Sequence, residues 1–205
     1  MKPHSGTKML PVLAAFLLAS ASPALGGEIQ GTCLLRFVGV STLHGFSGTV
    51  RCRPFSADLV KSPEAGTRIP AVEVDVPVDE MDTGNGTRDD QMRKMFQRDR
   101  FPSIHGTVKE INVDRIRQEG EKKGGENASF DLALRIRGVE RNVRALVTNL
   151  REEGNRVGFD VEFSVSLEEY GLKAPSFMGI FRVRDKVTVT GNVLLEVTSK
   201  EVRLP

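Results

Sequence analysis

Apolar and polar residues alternate along most of this chain, a pattern that predicts β-strands because successive side chains of a strand point to opposite faces. The alternation is clearest in four long runs: Ile69–Asp79, Phe130–Ile136, Val157–Leu167 and Val183–Val197. Shorter or less regular strands are predicted at Cys33–Val40, Phe46–Arg53, Ser103–Arg117 and Asn142–Leu150. The chain is therefore expected to be rich in β-structure from residue 33 onward.

Three segments break the alternation and are predicted to connect strands. Phe55–Thr67 is bounded or interrupted by prolines and a glycine, which favour turns. Gln118–Asn127 is a charged, glycine-rich stretch typical of a hairpin loop. Glu168–Arg182 is irregular and rich in phenylalanine, methionine and glycine.

About eight antiparallel strands with one apolar face predict an all-β fold. Strands this long need their edges hidden, and closure into a barrel removes those edges. An eight-stranded barrel has an interior that is either filled by side chains or just able to hold one small ligand. A sandwich of two sheets remains the alternative, because periodicity alone does not separate the two architectures.

One segment, Thr83–Ile104, has the spacing of a helix instead. Apolar residues fall there at i, i+3 and i+4, which places Met92, Met95 and Phe96 on one face. We predict one short helix over about residues 88–98, capped by Thr87 and stopped by Pro102. A helix with such a face could plug or cover a hollow barrel.

Residues 1–27 are predicted to be a signal peptide, with a basic start, a short apolar run and small residues for cleavage near residues 24–27. The expected product is a single domain, residues 28–205, that is periplasmic or secreted. The chain has 29 Lys+Arg and 27 Asp+Glu, and the leader holds two of those lysines and no acid. The remainder is neutral, so charge gives no argument for nucleic acid or an anionic membrane as a partner.

Cys33 and Cys52 are expected to form a disulfide, since paired cysteines usually bond in an oxidising compartment. Two buried free thiols are the alternative. A zinc site that combines these cysteines with His44 and His105 is weaker, because the spacing of a zinc motif is absent. We therefore predict no metal site.

Several stretches resemble the YceI-like family, and they occur in the order expected for it. The most specific is Asp82-Thr83-Gly84-Asn85, followed by Arg88-Asp89 and Met92 and then by Phe101-Pro102-Ser103-Ile104. The others are Ser41–Gly48, Ile136–Val139, Glu169–Leu172 and the later Val183, Asp185 and Val187. This resemblance implies an exported, lipocalin-like, extended antiparallel barrel that binds a polyisoprenoid or another long-chain lipid in its lumen.

Candidate ligand-binding residues follow from that implication. Apolar walls are expected from aromatic and methionine side chains, namely Phe37, Phe46, Met92, Met95, Phe96, Phe101, Phe163, Phe177 and Met178. The alternative is that these residues fill a solid core. Asn85 and Arg88 are candidates for contact with a polar head group at the barrel mouth. The favoured interpretation of Arg88 and Asp89 is structural: a local ion pair and side-chain caps tie the helix to neighbouring strands.

Two other functional classes are alternatives to lipid binding. An enzyme is not expected: neither His44 nor His105 stands in a nucleophile motif, and no P-loop or GxGxxG sequence indicates a cofactor. A non-lipid stress-response or interaction module is the other alternative, in which Leu146, Leu150 and Leu194 form an outer apolar patch for a homodimer.

Overall fold

The computed structural model describes residues 25–41, 45–121, 128–173 and 183–199. Its strands are β1 (Leu25–Ser41), β2 (Gly45–Arg51), β3 (Phe55–Ser62), β4 (Gly66–Pro77), β5 (Ser103–Asn112), β6 (Ser129–Ile136), β7 (Val139–Glu153), β8 (Arg156–Ser166) and β9 (Val183–Ser199). The helices are α1 (Gly86–Phe96) and α2 (Val113–Glu121), with short 3-10 turns at Val78–Glu80 and Glu168–Tyr170. No helix among the described residues is both long and apolar enough to cross a membrane.

All the strands belong to one antiparallel sheet that closes on itself. Neighbours follow chain order from β3 to β9, and β1 then pairs with β9 from Gly27–Ser199 to Ser41–Val183. The other edge of β1 pairs first with β3 and then with β2, so these two short strands share one position. The result is an eight-stranded barrel, which confirms the predicted fold class and excludes the sandwich.

The two ends of the barrel carry different elements. β4 leaves the sheet at Pro77 and leads to α1, so we call this end the α1 end. β5 runs back antiparallel and leads directly into α2 at the opposite end, the α2 end. The helices therefore lie at opposite ends of the same barrel.

The predicted connection at Phe55–Thr67 is wrong, because residues 55–62 form β3 and β4 begins at Gly66. The connections on either side of β3 are shorter than the one predicted from the prolines and the glycine. Pro54 lies between β2 and β3, and the turn before β4 ends at Gly66 with a positive φ of 69°. A single proline at the junction of two strands interrupts the hydrogen bonds of the sheet at that point. The chain nevertheless stays beside β1, so β2 and β3 occupy the same place in the sheet.

The prediction of a single helix is also wrong, since α2 takes up residues predicted as the end of a strand and the start of a loop. The strand predicted at Ser103–Arg117 stops at Asn112, whose side chain accepts a hydrogen bond from the Arg115 N–H at 2.9 Å. That contact satisfies a donor in the first turn of α2. Residues 122–127 of the predicted loop lie outside the described residues.

Helix α1 is present, with ends that differ from the prediction. Its N-cap is Asn85, not Thr87: the Asn85 side chain accepts from the Arg88 N–H at 3.0 Å. At the other end Gln97 adopts a left-handed conformation, so the helix stops at Phe96, well before Pro102. A left-handed residue after the last turn is a common way for a helix to end.

Tyr170 helps to fill the core at the α1 end. It is 1 % exposed, and this burial raises its pKa to about 12, so the phenol stays neutral throughout the physiological range. It belongs to the same buried apolar cluster as Leu172 and Met92. Part of the irregular segment after β8 is thus packed against the barrel.

Cys33 and Cys52 form a disulfide, as predicted, and this removes both sulfurs from the alternative zinc site. The bond joins β1 to the junction between β2 and β3, where the Cys52 N–H also donates to the Cys33 carbonyl at 3.0 Å. Both residues are buried. The cross-link therefore holds the strand position that Pro54 interrupts.

Replacing both cysteines with alanine should lower the free energy of unfolding by about 3 kcal/mol, because the cross-link restricts the unfolded chain. Guanidinium denaturation of the variant and of the wild type checks this. The wild type in reductant is the matched control and should reproduce the variant's midpoint. Equal midpoints for oxidised wild type and variant would contradict the expectation.

Candidate binding cavity

A cavity of about 1060 Å³ runs through the barrel. Its walls include residues at both ends, from Arg88 at the α1 end to Ile116 at the α2 end. On β9 the wall extends from Val187 to Val197, which corresponds to roughly 25 Å along the barrel axis for a strand tilted at about 40°. The volume lies at the upper end of the range of about 300–1000 Å³ that is usual for ligand pockets.

The cavity is lined by the apolar residues of the alternating pattern. The inward positions of β4, β6, β8 and β9 are the ones predicted to share an apolar face. The residues at these positions are, strand by strand, Val72, Val74 and Val76; Phe130, Leu132, Leu134 and Ile136; Val157, Phe159, Val161, Phe163 and Val165; and Val187, Val189, Val193, Leu195 and Val197. Because every strand contributes its apolar face, the middle of the lumen is apolar all round.

Glycines opposite phenylalanines leave space in this lumen. Phe46 on β2 is the direct cross-strand partner of Gly39 on β1, and Phe37 on β1 is the partner of Gly48 on β2. Each ring lies over the glycine it faces, where a Cβ atom would collide with it: on Gly39 that atom would lie 2.5 Å from the Phe46 ring. The rings therefore lie along the wall, and the lumen keeps volume that upright rings would fill.

Helix α1 contributes one face to the cavity. Met92, Met95 and Phe96, the residues predicted to share an apolar stripe, all line it. The helix is anchored at its start by the buried carboxylate of Asp89, which accepts from both the N–H and the hydroxyl of Thr83 at 3.0 and 2.6 Å. The methionines and Phe96 thus cover the α1 end from a fixed helix.

Polar side chains line the cavity beside this apolar face: Asn85, Thr87, Arg88 and Gln91. The Arg88 guanidinium lies over the Phe46 ring, 5.6 Å from its centroid, a cation–π contact. The predicted ion pair between Arg88 and Asp89 does not form within the described residues, because adjacent helix residues point to different sides and Asp89 is bound to Thr83. Arg88 therefore lines the cavity, and Asp89 helps to hold the start of the helix through Thr83.

The predicted wall residues fall into three groups. Phe37, Phe46, Phe163 and the three α1 residues line the cavity. Phe101 does not: it lies outside the lumen near the turn between β6 and β7, 5.1 Å from the Arg100 guanidinium. Phe177 and Met178 lie outside the described residues.

Of the two histidines considered above, His105 lies in the described part of the chain. His105 lies on the outer face of β5, where its ring contacts the carboxylate of Asp75, and it does not line the cavity. His44 is outside the described residues. The described part of the chain contains no group of three or more histidine, cysteine or acidic residues arranged to hold a metal ion.

The predicted outer patch of three leucines does not form. Leu146 and Leu194 are exposed, at 38 % and 62 %, but β8 lies between their strands. Leu150 lines the cavity, because Asn149 has a positive φ of 52° and the pairing of β7 shifts between Thr148 and Arg151. A bulge of this kind reverses the face on which every later residue lies.

Several wall residues are not among those predicted from the sequence. Phe55 and Leu59 line the cavity from β3, a segment predicted as a connection although apolar residues alternate there with polar ones. Val113 and Ile116 were missed because helix α2 was not predicted. Only the first pair had a signal of period two that could have identified it.

The model of the YceI-like domain family matches residues 32–195 of the chain. Among solved structures, BcnA of Burkholderia cenocepacia is similar over 79% of this chain and 95% of its own, with 15% identity and a TM-score of 0.58. A polyisoprenoid binding domain from Saccharophagus degradans, implicated in plant cell wall breakdown, is similar over 82% of this chain and 97% of its own, with 14% identity and a TM-score of 0.53. A search of curated protein sequences finds no match.

Adding a methyl group at Gly39 should narrow the lumen. In a Gly39→Ala variant the Phe46 ring must move off the wall, at a cost of about 1 kcal/mol of unfolding free energy, the low end for overpacking. Chemical denaturation measures the loss, and a crystal structure shows the ring. Gly45→Ala is the control on the neighbouring strand, where the nearest atom to an added Cβ is 3.7 Å away. Equal stability of the two variants would contradict this role of Gly39.

Proposed function

We propose that this chain, which belongs to the family of YceI-like domains, is a binding protein that holds one long apolar chain, a polyisoprenoid or related lipid, inside its barrel. The observation that carries this proposal is the continuous cavity of about 1060 Å³ with apolar walls from every strand and from α1. A surface of this kind offers few directed polar contacts in its middle. It therefore suits a ligand recognised by apolar area and shape.

The energetics favour a long ligand over a short one. Each 100 Å² of apolar surface removed from water contributes about 2.5 kcal/mol. Association itself costs several kcal/mol in lost translational and rotational freedom. A chain of a few carbon atoms does not offset that cost, whereas one that extends along the lumen does.

A polyisoprenoid suits the wall chemistry, because its methyl branches make an irregular surface. Methionine side chains adapt to irregular shapes, and three of them, Met81, Met92 and Met95, line the cavity. The similar domain from Saccharophagus degradans is described as polyisoprenoid binding. We extend that ligand class to this chain as a proposal, since the likeness at 14% identity establishes the fold alone.

The polar group of the ligand is proposed to lie at the α1 end, near Asn85 and Arg88. The Arg88 side chain lines the cavity. Its stacking on Phe46 holds the guanidinium at the lumen wall while leaving its N–H donors for a ligand. A phosphate or similar anionic head group fits those donors better than a neutral one.

Export to the periplasm or beyond is part of the proposal. The disulfide between Cys33 and Cys52 supports it, because such bonds persist in oxidising compartments. The predicted leader lies mostly outside the described residues, and β1 already begins at Leu25. Cleavage after Ala24 would leave that strand whole.

We favour binding over catalysis because His105 lies on the outer face of β5 and the polar side chains that line the α1 end, Asn85, Thr87, Arg88 and Gln91, do not include a general base. The direct test is native mass spectrometry of the protein from its own source. A co-purifying lipid that organic solvent removes, and that delipidated protein takes up again, is the expected result. Protein with no bound lipid and no uptake of any long apolar chain would contradict the proposed function.

Two adjacent leucines on β9 allow a matched test of the lumen as the site. Leu195 lines the cavity and Leu194 is exposed on the outer face. Leu195→Trp should reduce uptake of a long-chain polyisoprenol by about tenfold or more, because the added ring occupies space that the ligand needs. Leu194→Trp is the control and should bind like the wild type. Equal titration curves for both variants would exclude the lumen.

Removing the charge of Arg88 tests the head-group role. Arg88→Gln should weaken binding of a polyisoprenyl phosphate by about tenfold or more, the loss expected for a charged hydrogen bond, and should leave the neutral alcohol almost unaffected. Lys94→Gln removes the same charge from the exposed side of α1 and serves as control. Calorimetric titration gives the affinities. If Arg88→Gln changes neither affinity, the head group does not contact Arg88.

A further inference from the structure

Helix α2 lies across the end of the lumen opposite Arg88. It begins directly after β5, and its residues Val113 and Ile116, one turn apart on the same face, line the cavity. Leu150 of β7 lines the cavity beside them. Helix α2 thus presents two apolar side chains to the interior, and its Arg117 also lines the cavity.

The helix is tied to strands on two sides of the barrel rim. The Asp114 carboxylate accepts from the Thr67 N–H of β4 at 2.8 Å. On the other side the Arg117 guanidinium donates twice to the Glu152 carboxylate of β7, at 2.7 and 3.2 Å. β4 and β7 are three positions apart in a closed sheet of eight, so α2 spans the mouth between them.

We infer that α2 is the floor of the lumen and sets the longest apolar chain that the protein accepts, an inference that rests on the function proposed above. With a head group at Arg88, the tail extends along the barrel and its last carbons meet Val113 and Ile116. Additional length would have to displace a helix that is held at both sides. Affinity should therefore rise with chain length up to a limit and then fall.

The polar lining at this end is compatible with a floor. The carboxylate of Glu152 is held by Arg117, and that pair is part of the attachment of α2. Lys61 also lines this end, on a long apolar stem that can lie along the wall while its ammonium group reaches water. In the reverse orientation the head group would lie at Lys61. The experiment below distinguishes that orientation from the one with the head group at Arg88.

The experiment measures the affinity of delipidated protein for polyisoprenyl phosphates of increasing length. Ile116→Trp should bind the longest chain that the wild type accepts about tenfold more weakly and keep its affinity for short chains. Ile116→Ala should move the optimum to longer chains. Gln118→Trp, on the exposed side of α2, is the control and should retain the wild-type optimum.

A second variant, Glu152→Gln, removes the ion pair with Arg117 and leaves at most one neutral acceptor, so it weakens the attachment of α2 and should relax the length limit even if the Ile116 variants fold poorly. An unchanged optimum in the Ile116 and Glu152 variants overturns the inference. Faster release of chains of every length from Glu152→Gln also overturns it, because α2 would then be an entrance. Loss of head-group discrimination in Lys61→Gln, with Arg88→Gln unaffected, overturns the orientation. If the wild type binds no chain at all, the proposed function itself fails.

Discussion

The pairing of β1 with β9 is the constraint on which the rest of the structure depends. It joins residues near the two ends of the described chain over the whole length of both strands, from Gly27–Ser199 to Ser41–Val183. Without it the sheet would have two long open edges and an apolar face with nothing to cover it. With it, the apolar face of every strand encloses a common space, and the outer faces meet water.

Closure alone does not decide whether that space is filled. Eight strands give an interior near the boundary between a packed core and a ligand cavity. Here two features keep it open: the rings of Phe37 and Phe46 lie over glycines on the opposite strand, and much of the wall is valine, which does not reach the axis. The open interior thus depends in part on cross-strand pairs of a phenylalanine and a glycine, Phe46 with Gly39 and Phe37 with Gly48.

The two ends of the lumen differ in chemistry. At the α1 end Arg88 is directed to the cavity while Asp89, its neighbour, is bound to Thr83. At the α2 end the charged side chain of Arg117 is held by Glu152, and the helix presents Val113 and Ile116 to the interior. The lumen thus has Arg88 in its lining at one end and a helix tethered across the other, a difference that would orient a chain bound as proposed above.

The sequence by itself determined the strand faces, the disulfide partners and the apolar stripe of α1, because each is a local or pairwise pattern of residue types. Nearly all the inward residues of β4, β6, β8 and β9 follow from a period of two. Only the tertiary structure decided what depends on register and closure. The bulge at Asn149 places Leu150 on the inner face of the barrel. Phe101 does not line the lumen, and β5 ends at Asn112, where α2 follows directly. A periodic pattern does not reveal a bulge such as the one at Asn149, because one inserted residue reverses the face of every later residue without altering the composition.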